Sequence, residues 1–136
     1  MADTLRLEII TPLEIAFSED VDMVTLPGIE GEMGVYPHHM RLITQIVPGE
    51  IVVNKDGHDR SLAVGEGLVD ISGDRVSIVT DMAIAADKID EVRLEEARAR
   101  AEARLREKID DEEVATVNAS LARALAQLRV KRRRKV

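Results

Sequence analysis

Three glycines at three-residue spacing are the feature of this sequence that most resembles a binding motif. Gly28, Gly31 and Gly34 lie in the segment 26–44, LPGIEGEMGVYPHHMRLIT. Glycine-rich loops can bind phosphate through closely approaching backbone N–H groups. However, no Lys-Ser/Thr pair and no helix start follow, and the spacing matches neither the dinucleotide nor the Walker fingerprint. The pattern therefore favours a shaped loop whose glycines allow positive φ angles, rather than a phosphate site.

Histidines and carboxylates are the other groups that could do chemistry. The histidines are His38, His39 and His58, and neighbouring residues of a strand point in opposite directions, so His38 and His39 rarely bind one metal. The absence of Cys excludes disulfides, thiolate ligands and Cys nucleophiles. Among 26 acidic residues no spacing marks a catalytic pair, and no Ser-His-Asp pattern occurs. We therefore predict no catalytic residue and no metal site.

Charge is distributed unevenly along the chain. The net charge is −7, but residues 1–86 carry 15 acidic and 5 basic side chains, whereas residues 87–136 carry 11 acidic and 14 basic ones. Residues 114–136 contain 7 basic side chains and no acidic one. A positive arm on a negative body suggests an acidic partner for the arm, or docking of the arm on its own body. A solvated, disordered basic tail is the alternative interpretation.

Composition excludes further classes. Phe17 and Tyr36 are the only aromatic residues, so the core must be aliphatic, and binding of single-stranded nucleic acid, which needs stacking side chains, is disfavoured. No run of about 18 apolar residues occurs, and residues 1–4 are acidic and not followed by a signal-peptide core. We expect a soluble protein made in the cytoplasm, whose membrane association would come only through a partner.

The chain changes character at about Ala86. The last Pro is Pro48 and the last Gly is Gly73, and the sequence after Ala86 is rich in Ala, Glu, Arg and Leu. Gly and Pro interrupt strands and mark turns, whereas Ala, Leu, Glu and Arg favour helices. The sequence predicts a β-sandwich or flattened barrel over residues 1–86 and a two-helix domain over residues 87–136.

Alternating apolar residues predict short strands in the first part. Leu5, Leu7 and Ile9 form one face of the first strand, and Ile15 and Phe17 are expected to point inward from the second. The predicted strands, separated by turns such as 54–57 and 72–74, cover residues 4–10, 14–18, 21–26, 50–54, 60–64, 67–72 and 75–80.

Two amphipathic helices are predicted in the second part. Asp87 is the expected N-cap of the first, and Asp110 with Glu113 fits a capping box at the start of the second. The two apolar stripes are Leu94, Ala97, Ala101, Leu105 and Ile109, then Val114, Val117, Leu121, Leu125 and Leu128. The short break between them indicates a helical hairpin, in which each stripe covers the other or is offered to a partner.

Four segments together resemble the epsilon subunit family of the F-type ATP synthase, whose mitochondrial counterpart is called delta. They are LRLEIITP (5–12); GEMGVYP (31–37) with His39 and LIT (42–44); GLVDI (67–71) with VSIV (76–79); and ASLARALAQLRV (119–130). The glycine segment is the most specific of them, and the resemblance covers essentially the whole chain. His38 stands where the family usually has Gly, and Met40-Arg41 stands where Ala-Pro or Ile-Pro is common.

The resemblance implies a ten-stranded antiparallel β-sandwich followed by an antiparallel helical hairpin. It implies a non-catalytic subunit of the central stalk, which contacts the gamma subunit and the membrane-embedded c-ring at the cytoplasmic face of the bacterial plasma membrane, as a peripheral protein. The residues that match the family's contact loop for gamma and the c-ring, with Glu32 foremost, are Gly28, Glu30, Gly31, Glu32, Gly34 and His39.

The resemblance also implies a regulatory role for the helical hairpin. Folded against the sandwich, the hairpin permits turnover; extended along gamma, it blocks ATP hydrolysis by the catalytic alpha and beta subunits. The cations that would meet acidic segments of the catalytic subunits, here called the basic arm, are Arg123, Arg129, Lys131, Arg132, Arg133 and Arg134.

A nucleotide site at the hairpin is a weaker implication. Some members bind ATP through the motif I/L-D-x-x-R-A, and the residues that match this motif or further basic positions of the site are Ile89, Asp90, Arg93, Arg100 and Arg123. Leu94 replaces the motif's Ala, and Ile84 and Gln127 stand where binding members have Glu and Arg. The expectation is therefore no cofactor beyond a weak regulatory ATP.

A nucleic-acid-binding module that uses the basic tail is the alternative function. Such binding would depend strongly on salt, because cations on the protein release counterions from the phosphates. The acidic body and the scarcity of aromatic residues oppose it.

Overall fold

The computed structural model describes residues 3–133 and contains ten strands followed by helices. The strands are β1 Leu5–Ile10, β2 Ile15–Val21, β3 Met23–Gly28, β4 Gly31–Val35, β5 His39–Ile46, β6 Gly49–Lys55, β7 His58–Val64, β8 Gly67–Gly73, β9 Arg75–Thr80 and β10 Ala83–Ala85. A 3₁₀ turn, Ala86–Lys88, leads to the helices α1 Glu91–Leu105 and α2 Asp111–Arg133. The predicted fold class, a ten-stranded antiparallel β-sandwich or flattened barrel followed by a helical hairpin, is confirmed, except that one pair of strands is parallel.

The strands form one sheet in the order β10-β7-β6-β3-β5-β8-β9-β1-β2, with β4 paired to β3 outside this path. All pairs are antiparallel except that of β1 with β9, which is parallel. The sheet curls into a nearly closed barrel, and Glu19 of β2 forms ion pairs with Lys55 of β6 (3.3 Å) and Arg60 of β7 (3.2 Å) across the remaining seam. These contacts protect the β2 edge, which would otherwise be open to pairing with other chains.

Charge partners dominate the acidity of Glu19. Partial burial by itself raises the pKa of this carboxyl group, but the hydrogen bond from Lys55 and the positive charge of Arg60 outweigh that effect, and the net pKa lies below its usual range. The guanidinium group of Arg60 also lies 5.0 Å from the centre of the Phe17 ring. The seam is therefore closed by a cation–π contact as well as by ion pairs.

The core of the sandwich is aliphatic, as predicted. Leu5, Leu7 and Ile9 are fully buried, and Phe17 is buried at the margin of the same cluster. The inward orientation predicted for Ile15 is wrong, because this side chain is 61% exposed. The pairing of β1 with β2 has a bulge at this point, and the extra residue on β2 turns Ile15 to the outer face of the sheet.

The glycine segment is a β-hairpin, so the prediction of a shaped loop is wrong. β3 and β4 pair from Val24 opposite Val35 to Gly28 opposite Gly31, and the turn contains only two residues, Ile29–Glu30. Of the three glycines in this segment only Gly31 has a positive φ angle, 131°. Gly28 stays without a side chain for another reason: a Cβ atom there would lie 2.7 Å from the Gly31 carbonyl oxygen.

The first helix begins later than predicted. Asp90, and not Asp87, is the N-cap of α1, since its carboxylate accepts a hydrogen bond from the Arg93 N–H (3.2 Å). Asp87 lies in the preceding 3₁₀ turn, and buried Ile89 separates this turn from the helix. The other end also differs, because α1 ends at Leu105 and Ile109 lies beyond it.

The predicted cap of the second helix forms in part. The Asp110 carboxylate accepts a hydrogen bond from the Glu113 N–H (2.8 Å), which is the N-cap half of a capping box. The Glu113 carboxylate does not return to the Asp110 backbone but accepts from Arg104 near the end of α1. The contact therefore ties the two helices together across their connection.

Candidate functional site

The C-terminal half of α2 packs both on α1 and on the sandwich strands β6 and β7. Within the described part of α2, the buried residues are Ala124, Ala126, Leu128 and Val130, whereas α1 has none. A small apolar cluster joins Val130 to Ala63 of β7 and to Ile89, with Met82, Ile84, Ala86 and Leu94 around it. Burying a side chain such as Leu128 or Val130 stabilises the docked state by about 1.5–3 kcal/mol.

The predicted stripe of the second helix accounts for only part of this contact. Leu128 is fully buried, but Leu121 and Leu125 are half-buried, and the stripe omits Ala124, Ala126 and Val130. These three are buried because α2 is covered on two sides, and a single-face helical period cannot predict a second face. The available signal for this second buried face was the presence of small or β-branched side chains close to the leucines in sequence.

The basic arm docks on the chain's own acidic groups. Arg123 lies 3.2 Å from Asp81, Arg133 lies 3.0 Å from Glu50, and the Lys131 amino group donates to the Ala86 carbonyl (3.5 Å). Arg132 pairs with Glu91 (3.3 Å) and with Glu95 on α1. Since α2 continues to Arg133, the basic run is helical to this point and the disordered-tail interpretation is wrong for it; Arg134 lies outside the described residues.

The predicted contact loop is only partly brought together. Gly28, Glu30, Gly31, Glu32 and Gly34 all belong to the β3–β4 hairpin, whereas His39 begins β5. β5 runs from His39 to Ile46, which pairs with Gly28. Seven residues of strand, about 23 Å, therefore separate His39 from the hairpin turn. The acidic turn and His39 occupy opposite ends of the sandwich.

Apolar tips accompany the acidic turn at its end of the sandwich. Leu13 and Ile29 are well exposed. Val47 is also exposed, and its N–H donates to the Pro27 carbonyl. Motif reasoning missed these residues, because single apolar side chains in turns carry no periodic signal.

An exposed apolar stripe crosses the outer face of four neighbouring strands. Ile15 of β2 pairs with Ile10 of β1, Ile10 with Val79 of β9, and Val79 with Leu68 of β8. Val79 and Leu68 are each 54% exposed. We call these four residues the outer stripe. The sequence analysis missed it. A signal was present, because adjacent apolar residues in three strands (Ile9-Ile10, Leu68-Val69 and Ile78-Val79) indicate strands that are apolar on both faces.

Two cavities lie where the arm meets the sandwich. A cavity of about 880 Å³ follows the barrel seam and is lined by residues that include Phe17, Arg60, Lys88 and Lys131. A smaller one of about 110 Å³ lies around Glu50, Arg129 and Arg133. Residues 3–133 contain no group of three or more His, Asp or Glu side chains placed to hold a metal ion.

Comparison with known proteins decides the family. Residues 4–86 match the family described as ATP synthase, Delta/Epsilon chain, beta-sandwich domain, and residues 87–132 match its long alpha-helix domain. The chain belongs to the ATP synthase delta/epsilon family. The resemblance predicted from the sequence is thereby confirmed.

Curated relatives and solved structures agree with this assignment. The ATP synthase epsilon chain of Herpetosiphon aurantiacus is 38% identical over 131 residues, which is 96% of either chain, and that of Dehalococcoides mccartyi is 40% identical over 132 residues, 96% of this chain and 94% of the relative. The fold matches a chain of the Euglena gracilis mitochondrial ATP synthase with a TM-score of 0.74 (24% identity, 88% of this chain and 76% of that one). It also matches a chain of the Tetrahymena thermophila central stalk and c-ring (TM-score 0.59, 12% identity, 93% and 96%).

The five residues predicted for a nucleotide site lie in different surroundings. Ile89 is buried in the apolar cluster, Asp90 caps α1, and Arg123 pairs with Asp81. Arg93 and Arg100 are exposed, two turns apart on α1. Neither of the two cavities is lined by any of these five residues.

His38, at a position where the resemblance predicts a glycine, is held by two carboxylates. Its φ angle is 66°, in the left-handed region that favours Gly. The His38 backbone N–H donates to Asp74 (2.9 Å), and its ring nitrogens lie 3.1 Å from Asp3 and 3.3 Å from Asp74. The hydrogen bond to Asp3 and the charges of both carboxylates raise the pKa of His38 above 6.5.

We expect the His38 contact to depend on pH. Because the raised pKa means that the folded protein binds this proton more tightly than the unfolded chain, protonated His38 stabilises the fold below about pH 6.5, and this contribution is lost as the pH rises through the folded-state pKa. An NMR titration of the imidazole measures the value. Asp3→Asn should lower the pKa of His38, whereas Asp70→Asn, a matched charge change on β8, should not; equal shifts in both variants would contradict the assignment.

Proposed function

We propose that this chain is a non-catalytic subunit of the central stalk of an F-type ATP synthase, which turns with the rotor, couples gamma to the c-ring and restrains ATP hydrolysis through its hairpin. Membership of the delta/epsilon family over residues 4–132 is the observation that carries the proposal. The names of the curated relatives, ATP synthase epsilon chain, support it. The two structural neighbours belong to assemblies described as F1 with c-ring and as central stalk with c-ring.

The outer stripe supports contact with gamma. Ile10, Ile15, Leu68 and Val79 form a continuous apolar surface across four strands, a kind of surface that marks protein contact sites. The stripe lies on the sheet face opposite the core. Gamma would cover it in the assembled stalk, leaving the hairpin on β6 and β7 free to move.

The acidic turn supports contact with the c-ring. Glu30 and Glu32 lie in the β3–β4 hairpin at the end of the sandwich where Leu13, Ile29 and Val47 are also exposed. A mixed apolar and acidic end suits a neighbour with basic and apolar loops. His39 lies at the other end of its strand and would serve the gamma contact instead.

The docked hairpin supports a regulatory role toward the catalytic alpha and beta subunits. In this proposal the docked hairpin is the folded state that permits turnover. In the extended state the basic arm would meet acidic segments of the catalytic subunits and block hydrolysis. Position at the cytoplasmic face of a bacterial plasma membrane would depend on these partners, and neither α1 nor α2, over the residues described, has the length and apolarity needed to cross a bilayer.

Copurification tests the assignment. A tagged chain should retain gamma and the catalytic subunits, and Val79→Asp should lose them by at least about tenfold, since a buried unpaired charge at the interface costs more than about 1.4 kcal/mol. Val92→Asp is the matched control, because Val92 is a comparably exposed valine on α1 (69%, against 54% for Val79). Circular dichroism confirms that both variants fold. If Val79→Asp retains gamma as well as the control does, gamma binds another face.

A further inference from the structure

We infer that Glu50 and Asp81 of the sandwich act as an internal acidic receptor for the basic arm and set how readily the hairpin is released. The inference rests on the proposed function in one respect, namely that the hairpin leaves the sandwich. It adds the two sandwich groups that control release.

Glu50 is the stronger of the two groups. Its side chain is only 10% exposed and its carboxylate lies 3.0 Å from the Arg133 guanidinium, while Arg129 and Arg133 line the same small cavity around it. Glu50 pairs across the sheet with Ala63, the residue that contributes to the apolar cluster with Val130. A carboxylate largely removed from water interacts more strongly with a cation than a surface carboxylate does, and leaving it without a cation is costly.

Asp81 provides the second contact, near the other end of the docked segment. Its carboxylate lies 3.2 Å from Arg123, which precedes Arg133 by about 15 Å of helix. The Asp81 side chain occupies the space beside Gly65: a Cβ atom on Gly65 would lie 1.8 Å from its Oδ1 atom. The missing side chain of Gly65 therefore allows Asp81 to reach the arm. Together the two carboxylates hold α2 at two points on the sandwich.

Two other groups of ion pairs lie within the hairpin, and the long hydrogen bond from Lys131 to the Ala86 carbonyl (3.5 Å) involves no acidic side chain. Arg132 pairs with Glu91 and Glu95, and Arg104 pairs with Glu113, so both partners of each pair lie on the helices and move with them. The apolar contact of α2 with the sandwich includes the small cluster around Val130, Ala63 and Ile84, beside alanines that bury little area. The balance between docked and released states therefore depends on Glu50 and Asp81 more than the length of α2 would suggest.

These contacts agree with the acidic partner segment of the proposed function. A partner surface that draws the hairpin out has to compete with the sandwich carboxylates for Arg123 and Arg133, so an acidic segment suits this role. Release then exchanges one set of carboxylates for another, and the arm's arginines are neutralised in both states. A neutral partner surface would give the arginines no replacement for the carboxylates that they leave.

Energy transfer between two dyes on the full-length chain tests the inference. The chain has no Cys, so Ser72→Cys on β8 and Asn118→Cys on α2, both exposed, take the dyes specifically. The double variant Glu50→Gln with Asp81→Asn should raise the fraction of chains with a released hairpin about five- to tenfold. Salt, which screens the ion pairs of the unmodified chain and so raises this fraction, should have a weaker effect on the variant. The matched control, Glu14→Gln with Asp70→Asn, removes two charges that lie away from the arm. A test variant that behaves as the control overturns the inference.

Two further variants keep the result independent of any folding defect. Arg133→Gln alters only the exposed end of α2, and combining it with Glu50→Gln should open the hairpin no further than either change alone, as a direct pair requires. Gly65→Ala keeps every charge but displaces Asp81, and should open the hairpin as Asp81→Asn does. Additive effects of Glu50→Gln and Arg133→Gln on hairpin opening would contradict the first direct contact. A Gly65→Ala variant that opens no more than the unmodified chain would contradict the second.

Activity of the assembled complex separates this inference from the proposed function. Glu50→Gln with Asp81→Asn should lower ATP hydrolysis, because more hairpins leave the sandwich. If energy transfer shows greater opening while hydrolysis stays unchanged, the internal receptor is supported and the inhibitory role is contradicted.

Discussion

Removal of residues 121–136 is expected to raise the ATPase activity of the assembled complex on the order of tenfold, the factor that corresponds to a resting preference of about 1.4 kcal/mol for the inhibited state. The deleted segment contains every buried residue of α2, namely Ala124, Ala126, Leu128 and Val130, and the whole basic arm. Without it, the remaining α2 turns can neither reach the catalytic subunits nor supply cations to them.

The truncated chain should still assemble, because the main core of the sandwich contains only strand residues and does not depend on the hairpin. Proton pumping per ATP hydrolysed should therefore stay at the full-length level, measured in membrane vesicles beside the ATPase rate. Loss of coupling would show that the truncation damages the stalk itself. An unchanged ATPase rate with normal assembly would contradict inhibition by the hairpin.

Linking the hairpin to the sandwich should keep it docked. Like the truncation, this should raise the rate of ATP hydrolysis. The Gln127 side chain contacts Met82, with 2.9 Å between amide nitrogen and sulfur, so Met82→Cys with Gln127→Cys places two thiols within reach of a short, cleavable bis-maleimide linker. A linked hairpin cannot extend, and the complex should hydrolyse ATP on the order of tenfold faster than the unlinked one. Cleaving the linker with a reductant should restore inhibition.

A matched link inside the sandwich provides the control. Asn54→Cys with Asp59→Cys replaces another close side-chain contact, 2.8 Å between amide nitrogen and carboxylate oxygen, across the turn from β6 to β7. This link leaves the hairpin free and should not change hydrolysis. If the Met82–Gln127 link leaves the rate at the inhibited level and cleavage has no effect, inhibition does not require the hairpin to leave the sandwich.

Local patterns predicted much of the sandwich because its clearest strands depend on neighbouring residues. Leu5, Leu7 and Ile9 alternate along β1 and are buried together. The turn from β6 to β7 follows from its residues as well, since Asp56 and Gly57 both adopt positive φ angles, 53° and 78°, which a two-residue hairpin turn of this type requires. Such features need no knowledge of the rest of the chain.

Other strands escaped prediction for identifiable physical reasons. β4 contains Gly31 and Gly34 and so lacks a clear alternation, although it pairs fully with β3. β5 carries exposed Ile43 and Leu42 next to each other, so its pattern does not separate two faces. The bulge at Ile15 depends on how β2 pairs with β1, and sequence alone gives no register for it.

The sequence by itself determined the class of elements, the change from strands to helices near Ala86, the positive charge of the last helix and, through matching segments, the family. Only the tertiary structure decided which carboxylates meet that charge. Glu50 and Arg133 are 83 residues apart, and Asp81 and Arg123 are 42 apart, and each pair forms because the sheet order brings β6, β7 and the β9–β10 connection under α2. Contacts of this range follow from topology and packing, which the propensities of neighbouring residues do not specify.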